Sequence, residues 1–245
     1  MRLARLFVDV ALQPGDEIAL PAGAARHALR ALRLQAGDRV TLFNGDGLQY
    51  PSRLAAGDPR APRVRIEGAE SPLRESRLRL TLVQGVARGD KMDWIIQKAT
   101  ELGVARIMPV LSERSEVRLQ GDRGEKRLEH WRAVAVAACE QCGRNVVPGI
   151  DAPATLAACM APLADTDPSS RWVLQPGAST RVRDISPEPA CMILAIGPEG
   201  GFGTEDLGIL RDARFRELAL GPRILRTETA GLAALSALQA VHGDS

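Results

Sequence analysis

The sequence has few cysteines and no long apolar run. Four cysteines in 245 residues are too few for a disulfide framework, and we expect them to stay reduced. No apolar run approaches the roughly 18–20 residues that a membrane-spanning helix needs, and the N-terminal stretch reaches Asp9 before a signal-like core forms. The chain is 45% hydrophobic and 25% charged, which argues against intrinsic disorder. We therefore expect a soluble, cytoplasmic protein with a buried core.

The sequence also lacks a metal or redox motif. Cys139 and Cys142 form a C-x-x-C pair, but no second pair or paired histidine lies nearby, and the three histidines are scattered. A redox C-x-x-C normally opens a helix, where the helix dipole lowers the thiol pKa, whereas this one closes a predicted helix. We interpret the two cysteines as packing residues and expect no metal site.

Phosphate-binding loops are absent as well. A glycine-dense stretch runs from Ile196 to Asp206, but it matches neither G-x-G-x-x-G nor G-x-x-x-x-G-K-[ST]. Glu205 and Asp206 also fall in the first turn of the helix that follows, where they would repel a phosphate. These features disfavour an enzyme that binds nucleotide phosphates.

The small positive charge is unevenly distributed. Residues 1–72 hold ten arginines and no lysine against eight acidic residues, whereas residues 73–245 hold 22 basic and 22 acidic residues. The planar guanidinium of arginine forms paired hydrogen bonds to phosphates and base edges, which the ammonium of lysine does not. The surplus in the first third agrees with RNA contact and equally with compositional drift.

Short strands separated by turns are predicted for residues 1–70, including the tight-turn pairs Asn44-Gly45 and Asp46-Gly47. One helical insertion, Ala24 to Leu34, places His27, Arg30 and Arg33 three residues apart and so on one face. This pattern predicts a small β-rich unit, and the polar segment Ser71 to Ser76 is its linker to the rest of the chain.

From Leu78 onwards strands alternate with helices, which predicts an α/β fold with a mainly parallel sheet covered on both faces. The predicted helices are Asp90–Leu102, Glu125–Cys142, Glu205–Ala213 and Glu228–Val241, the last with Thr227 as its N-cap. The predicted strands are Leu78–Leu82, Val104–Leu111, Arg171–Gln175, Met192–Ile196 and Glu217–Leu220.

Loops at strand ends are the candidate ligand site, because open α/β sheets bind ligands at the carboxyl ends of their strands. One such loop follows Ile196, and a second, Leu220 to Ala230, contains the apolar pair Ile224-Leu225, which packs either on the core or on a flat ligand ring. The charges in the second loop are equally consistent with a solvated cluster at a helix start. Ser112 to Ser115 is a third strand-end segment, either a surface loop or part of the same edge.

Five ordered segments closely resemble the RsmE family of the SPOUT superfamily, bacterial methyltransferases that act on N3 of a uridine in 16S ribosomal RNA. The segments are Gln84-Gly85 with Lys91-Met92-Asp93 and Gln97 to Gly103, then Ser112-Glu113-Arg114, Cys139 to Arg144, Ile196 to Gly201, and Leu220 to Ala230. Arg26 to Arg33 with Gly37-Asp38 is similar to the family's PUA-like RNA-binding domain.

The resemblance implies a PUA-like domain over residues 1–72 and a SPOUT methyltransferase domain over residues 73–245. It further implies a deep trefoil knot, a homodimer, no metal, and S-adenosylmethionine as the cofactor. The family's cofactor loops map onto Leu174, Gln175, Pro176, Gly197, Pro198, Glu199, Gly200, Gly201, Leu220, Gly221, Pro222, Ile224, Leu225, Arg226 and Thr227.

The chemistry of uridine N3 suggests the catalytic residues. Neutral N3 carries a proton and is a poor nucleophile, so a base must remove the proton or a cation must stabilise the anion. Arg226 or Arg114 is the candidate cation, and Glu199 is the candidate for removing the proton or orienting the arginine. Candidate RNA contacts are Arg30, Arg33, Arg88, Lys91 and Arg144. The modest net charge favours the assembled small ribosomal subunit as substrate.

The main alternative is a non-catalytic RNA-binding or ribosome-assembly protein with a degenerate methyltransferase domain. The intact glycines at positions 197, 200, 201 and 221 argue against it.

Overall fold

A computed structural model describes residues 4–58, 60–115, 121–185 and 190–244. The chain divides into two compact units. The first comprises Met1–Glu75 with Val136–Val147, and the second comprises Ser76–Ala135 with Pro148–Ser245. Segment Val136–Val147 therefore packs with the first unit, although its sequence position lies within the predicted methyltransferase domain. The functional division between residues 72 and 73 stays a prediction.

The first unit is a five-stranded sheet with one helical insertion, as its turn-rich sequence predicts. Its strands are β1 (Ala4–Phe7), β2 (Glu17–Ala19), β3 (Arg39–Phe43), β4 (Tyr50–Leu54) and β5 (Arg63–Ile66), in the spatial order β1-β3-β4-β5-β2. Only β1 and β3 pair in parallel among the described strands of this sheet. Leu6, Leu42 and Ile66 lie in its buried core.

The helical insertion is irregular. Helix α1 (Ala22–Arg26) continues as a π-helical turn (His27–Ala31), in which the Leu32 N–H donates to the His27 carbonyl. Arg33 lies beyond the helix in a left-handed conformation, with φ of 54°. The prediction that Arg33 shares one helical face with His27 and Arg30 is therefore wrong, because the π-turn ends the regular spacing before Arg33.

The second unit has a seven-stranded sheet in which every pairing of the described strands is parallel, which confirms the predicted α/β class. The spatial order is β12-β10-β11-β6-β7-β8, with β9 also paired to β7. Its strands are β6 (Arg79–Gly85), β7 (Val104–Leu111), β8 (Gly149–Ile150), β9 (Ala154–Thr155), β10 (Arg171–Leu174), β11 (Cys191–Ile196) and β12 (Arg216–Leu218).

Five α-helices of the described ranges lie between these strands in the sequence or after the last of them. They are α2 (Lys91–Glu101), α3 (Asp122–Cys142), α4 (Leu156–Met160), α5 (Thr204–Asp212) and α6 (Thr227–His242). Arg226 is the N-cap of α6, so the prediction of Thr227 as N-cap is wrong by one residue. The Thr227 hydroxyl has other partners, described below. Within the described ranges no helix has both the length and the apolar character needed to span a bilayer.

The carboxyl ends of β6, β10, β11 and β12 meet at one edge of the second sheet. In the parallel register Ile196 lies beside Gln84, Val173 beside Ala195, and Leu174 beside Leu218. Buried apolar side chains, including Val83, Val173 and Ile193, hold the strands behind this edge. The loops that leave these strands must therefore emerge next to one another.

Gly85, at the end of β6, allows the loop after β11 to pack directly against this strand. A Cβ at this position would lie less than 3.0 Å from the ring and nitrogen of Pro198 and from the carbonyl carbon of Gly197. Because backbone atoms cannot yield as a flexible side chain does, only glycine lets the loop after β11 pack on β6.

We expect Gly85→Ala to lower the free energy of unfolding by about 1–3 kcal/mol, because the methyl group overpacks a backbone contact. The matched control is Gly208→Ala, which has open space around its Cβ in helix α5 and should stabilise by up to about 1 kcal/mol. Urea denaturation of both variants measures the difference. Equal stability of Gly85→Ala and wild type would contradict this packing.

Candidate functional site

A cavity of about 480 Å³ opens at the carboxyl edge of the second unit's sheet. Three segments form its walls: the residues after β10, the loop after β11 and the loop between β12 and α6. Its volume lies in the range of small-molecule sites. The parallel strand order thus brings together loops that are far apart in the sequence.

The loop after β11, residues 197–201, forms one wall by a tight turn. The Gly201 N–H donates to the Pro198 carbonyl at 2.9 Å. A Cβ on Gly197 would lie 2.7 Å from the Gly201 carbonyl carbon and from the Phe202 nitrogen. Only glycine at position 197 therefore lets the loop fold back on its own main chain in this tight turn.

The loop between β12 and α6 forms the facing wall. Ile224 is 84% exposed, and Leu225 beside it is half-buried. Both line the cavity. The predicted alternative, in which this pair packs on the core, does not hold for Ile224, whose side chain lies open at the cavity.

The two walls are joined by a hydrogen bond. The Thr227 hydroxyl, in the first turn of α6, donates to the Gly197 carbonyl at 2.6 Å, and it accepts from the Gln84 side-chain amide at 3.0 Å. Thr227 is buried. Its hydroxyl therefore links the strand end of β6, the loop after β11 and the start of α6.

The predicted cofactor residues converge on this one cavity, with a single exception. The residues that line it are Leu174, Gln175, Pro176, Gly197, Pro198, Glu199, Gly200, Gly201, Leu220, Gly221, Ile224, Leu225, Arg226 and Thr227. Pro222 is exposed and lies outside the lining. These three segments, which are separated in the sequence by a strand or by a helix and a strand, meet because the parallel sheet orders them.

Glu199 lies at the cavity and is held by one cation and by backbone donors. Its carboxylate accepts from the Arg88 N–H and from the Lys91 ammonium, each at 3.1 Å. Burial alone would raise the pKa of the Glu199 carboxyl, but the backbone donors of Glu199 and Arg88 and the Lys91 ammonium outweigh it, so the pKa lies below its ordinary value. Glu199 is therefore ionised at neutral pH.

Lys91, predicted as an RNA contact, lines the same cavity. Its ammonium lies 3.1 Å from Glu199 and 3.5 Å from Glu228, at the start of α6. Two carboxylates from different segments thus hold one ammonium at the cavity wall and neutralise its charge.

The three candidate catalytic residues lie in different settings. Arg226 lines the cavity, and its side chain has no hydrogen-bond or ion-pair partner among the described residues. Arg114 lies outside the lining and donates to the Gly200 carbonyl at 2.9 Å, on the outer side of the glycine loop. Glu199 pairs with Lys91 and with neither arginine.

The segment after β7 is docked on the glycine loop through carboxylates. Asp206, 3% exposed, accepts from the Gly203 N–H and from the Glu113 N–H, and Glu113 in turn accepts from the Glu205 N–H. These bonds occupy the N-terminus of α5 with protein carboxylates, so that this helix end does not offer a phosphate site.

The candidate RNA contacts divide by their exposure. Arg30 and Arg33 in the first unit, and Arg88 in the second, are exposed. Arg144 is only 6% exposed, and its guanidinium donates to the Glu75 carboxylate at 2.6 Å within the first unit. The side chain of Arg144 is therefore committed to the interior rather than presented to a nucleic acid.

Sequence reasoning missed several residues of the cavity wall: Ile196, Phe202, Leu218, Ala219, Arg223 and Ala230. Most are apolar residues at or beside strand ends, and alternation alone does not distinguish them from core positions. Their signal was positional, since each flanks a predicted loop residue.

Cys139 is a core residue, in agreement with its interpretation from sequence. It is buried, and burial raises the pKa of its thiol to about 12. Within the described part of the chain, no three His, Cys, Asp or Glu residues are grouped so that they could hold a metal ion.

Two family matches cover most of the chain. Residues 74–239 match the RNA methyltransferase domain family. Residues 20–67 match the family described as the RNA methyltransferase PUA domain. The matches follow the order predicted from the motifs, and they identify the β-rich N-terminal part as PUA-like.

Individual relatives agree with the family matches. Ribosomal RNA small subunit methyltransferase E of Buchnera aphidicola is 30% identical over 243 residues, 99% of this chain and 98% of that protein. The same-named enzyme of Neisseria gonorrhoeae, solved with S-adenosyl methionine, is 33% identical with a TM-score of 0.91 over 99% of each chain. A Legionella pneumophila protein solved with the cofactor SAM is 36% identical with a TM-score of 0.94 over 100% of each chain. With its ordered motifs, its parallel sheet and these full-length similarities, the chain belongs to the ribosomal RNA small subunit methyltransferase E family.

Proposed function

We propose that this protein transfers a methyl group from S-adenosylmethionine to N3 of a uridine in 16S ribosomal RNA. The observation that carries the proposal is the single cavity between the loop 197–201 and the loop 220–227, in a chain of this family. The relatives from N. gonorrhoeae and L. pneumophila, both solved with this cofactor, support the choice of methyl donor.

The cavity fits such a cofactor in shape and chemistry. The tight turn at Gly197 shapes one wall, and Ile224 with Leu225 offers apolar area to the flat adenine ring. The cofactor supplies a methyl group already activated on a sulfonium, so the protein's task is to position the uracil nitrogen in line with it.

The proton on N3 must leave before the nitrogen can take the methyl group, and solvent water takes it when a cation stabilises the anion left behind. A general base works best when its pKa lies near the working pH. The lowered pKa of Glu199 makes it a weak base, so we assign Glu199 to holding Lys91 rather than to proton removal. We assign Arg226, which lies at the cavity and is unpaired among the described residues, to stabilising the negative O2/O4 edge of the uracil. We assign Arg114 to stabilising the glycine loop, because its guanidinium donates to the Gly200 carbonyl.

RNA binding is assigned to exposed arginines of both parts of the chain. We propose residues 1–72 as the PUA-like RNA-binding domain, with Arg30 and Arg33 contacting phosphates, and residues 73–245 as the methyltransferase domain, with Arg88 near the site. The match of residues 20–67 to an RNA methyltransferase PUA domain supports this division. Because Arg144 is buried against Glu75, we leave it out of the RNA contacts.

The resemblance supplies three further parts of the proposal. We propose a homodimer, a trefoil knot in the methyltransferase domain, and the assembled small ribosomal subunit as the substrate. A protein with this substrate acts in the cytoplasm, where the subunits are.

The function is tested by mass spectrometry of ribosomal RNA nucleosides. In a strain of the source organism lacking this protein, we expect 3-methyluridine to disappear from 16S ribosomal RNA and to return when the wild-type chain is supplied. An unchanged level of this nucleoside in the deletion strain would contradict the proposed reaction.

Arg226→Ala should lower kcat by about 10²–10³-fold, because the anion that forms in the transition state loses its cation. The melting temperature should change little, since the side chain is exposed. Arg211→Ala, an exposed arginine of helix α5, is the control and should retain full activity. Methyl transfer to purified small subunits measures kcat, and wild-type turnover by Arg226→Ala would remove this residue from the mechanism.

Replacing Arg30 and Arg33 together by alanine should weaken RNA binding and reduce its salt dependence. Each lost phosphate contact lowers the slope of log K against log salt by about 0.7–0.9. The control is Arg39→Ala, an exposed arginine on β3. Binding isotherms at several salt concentrations give the slope, and an unaltered slope in the double variant would place the RNA elsewhere.

A further inference from the structure

Gln84 is a fully buried polar residue whose role the mechanism above does not explain. It lies near the end of β6, beside Ile196 of β11, and none of its surface is exposed. It does not line the cavity itself. A buried amide is costly unless it is hydrogen-bonded, so its partners should reveal what it does.

The Gln84 side chain acts as a donor to two oxygens. Its Nε2 donates to the Gly85 carbonyl at 2.9 Å and to the Thr227 hydroxyl at 3.0 Å. Both protons of the amide are thereby used, and the orientation of the amide group follows from its partners. The opposite atom, Oε1, is buried and has no hydrogen-bond partner among the described residues. Gln84 therefore contributes through its donor end.

The Thr227 hydroxyl connects the Gln84 amide to the cavity wall by a second hydrogen bond. A hydroxyl has one proton, and Thr227 uses it on the Gly197 carbonyl at 2.6 Å. It can then bond to Gln84 only as an acceptor, which is what the Gln84 amide requires. A chain of two directed hydrogen bonds thus runs from β6 through the start of α6 to the glycine loop.

This chain ends at both walls of the cavity. Gly197 belongs to one wall and Thr227 to the other, and both line the cavity. Helix α6 lies against Gln84 here: a Cβ on Gly231 would be in ordinary van der Waals contact with Gln84 Oε1, at 3.4 Å. The spacing of the walls therefore depends on a residue behind them.

We propose that Gln84 is a positioning residue for cofactor binding. By donating to Thr227, it keeps the Thr227 hydroxyl directed at Gly197 and holds the two walls at the separation that S-adenosylmethionine requires. This inference rests on the proposed function and deepens it, since it names a residue outside the cavity that sets cofactor affinity.

The test is a double-mutant cycle on cofactor affinity, measured by calorimetry with S-adenosylmethionine and the full chain. Gln84→Met removes the donor with little change of volume, and Thr227→Val removes the hydroxyl. Each should weaken Kd by about three- to tenfold, the size expected for one hydrogen bond. The double variant should be no weaker than the weaker single variant, because both changes break the same chain.

Two further variants separate positioning from general stability. Thr227→Ser keeps the hydroxyl and should bind the cofactor within about twofold of wild type. Thr100→Val is the stability control: Thr100 is also fully buried, and its hydroxyl donates to the Ile96 carbonyl within α2, away from the cavity. This variant should lower the melting temperature and leave Kd unchanged. If Gln84→Met fails to fold, the comparison of Thr227→Val with Thr227→Ser still tests the two hydrogen bonds of the Thr227 hydroxyl.

The outcomes distinguish this inference from the proposed function. Wild-type protein that does not bind S-adenosylmethionine would overturn both. Wild-type binding with unchanged Kd in Gln84→Met and Thr227→Val would overturn the positioning role alone. Additive losses in the double variant would also overturn it, because they would mean that the two side chains act independently.

Discussion

The close packing of the glycine loop against the end of β6 is the contact on which the site depends. Gly85 leaves no side chain between β6 and the loop, so Pro198 and Gly197 lie directly on the strand. From that position Gly197 receives the Thr227 hydroxyl, and the start of α6 is brought to the opposite side of the cavity. The cavity is thus a consequence of strand order and of backbone contacts that larger residues would prevent.

Charges around the cavity are arranged in two groups with different tasks. On the glycine loop, Asp206 and Glu113 occupy the N–H groups that begin α5, which stabilises the loop and removes a phosphate site. At the cavity wall, Glu199 and Glu228 hold Lys91, while Arg226 lies unpaired among the described residues. The first group of charges therefore stabilises the glycine loop, and the second leaves an arginine at the cavity available to a ligand.

The parallel sheet and its ligand-bearing edge could be predicted from sequence, because buried strands and glycine-rich loops have strong local patterns. The loops that contain Gly197 and Ile224 were predicted at that edge from their positions after strands, whereas the part of Leu174 depended on the resemblance, since strand order is not encoded locally. Three features escaped prediction for physical reasons. The π-turn at His27–Ala31 has no periodic signal, the packing of Val136–Val147 with the first unit interrupts no helix pattern, and the burial of Arg144 depends on the distant Glu75.

The most direct measurement of the central claim is a crystal structure of the protein grown with S-adenosylmethionine. We expect cofactor density between the loop 197–201 and the loop 220–227, with the adenine ring against Ile224 and Leu225 and the methyl group open towards Arg226. Cofactor density at any other place, or side chains moved into the space between the two loops, would contradict it.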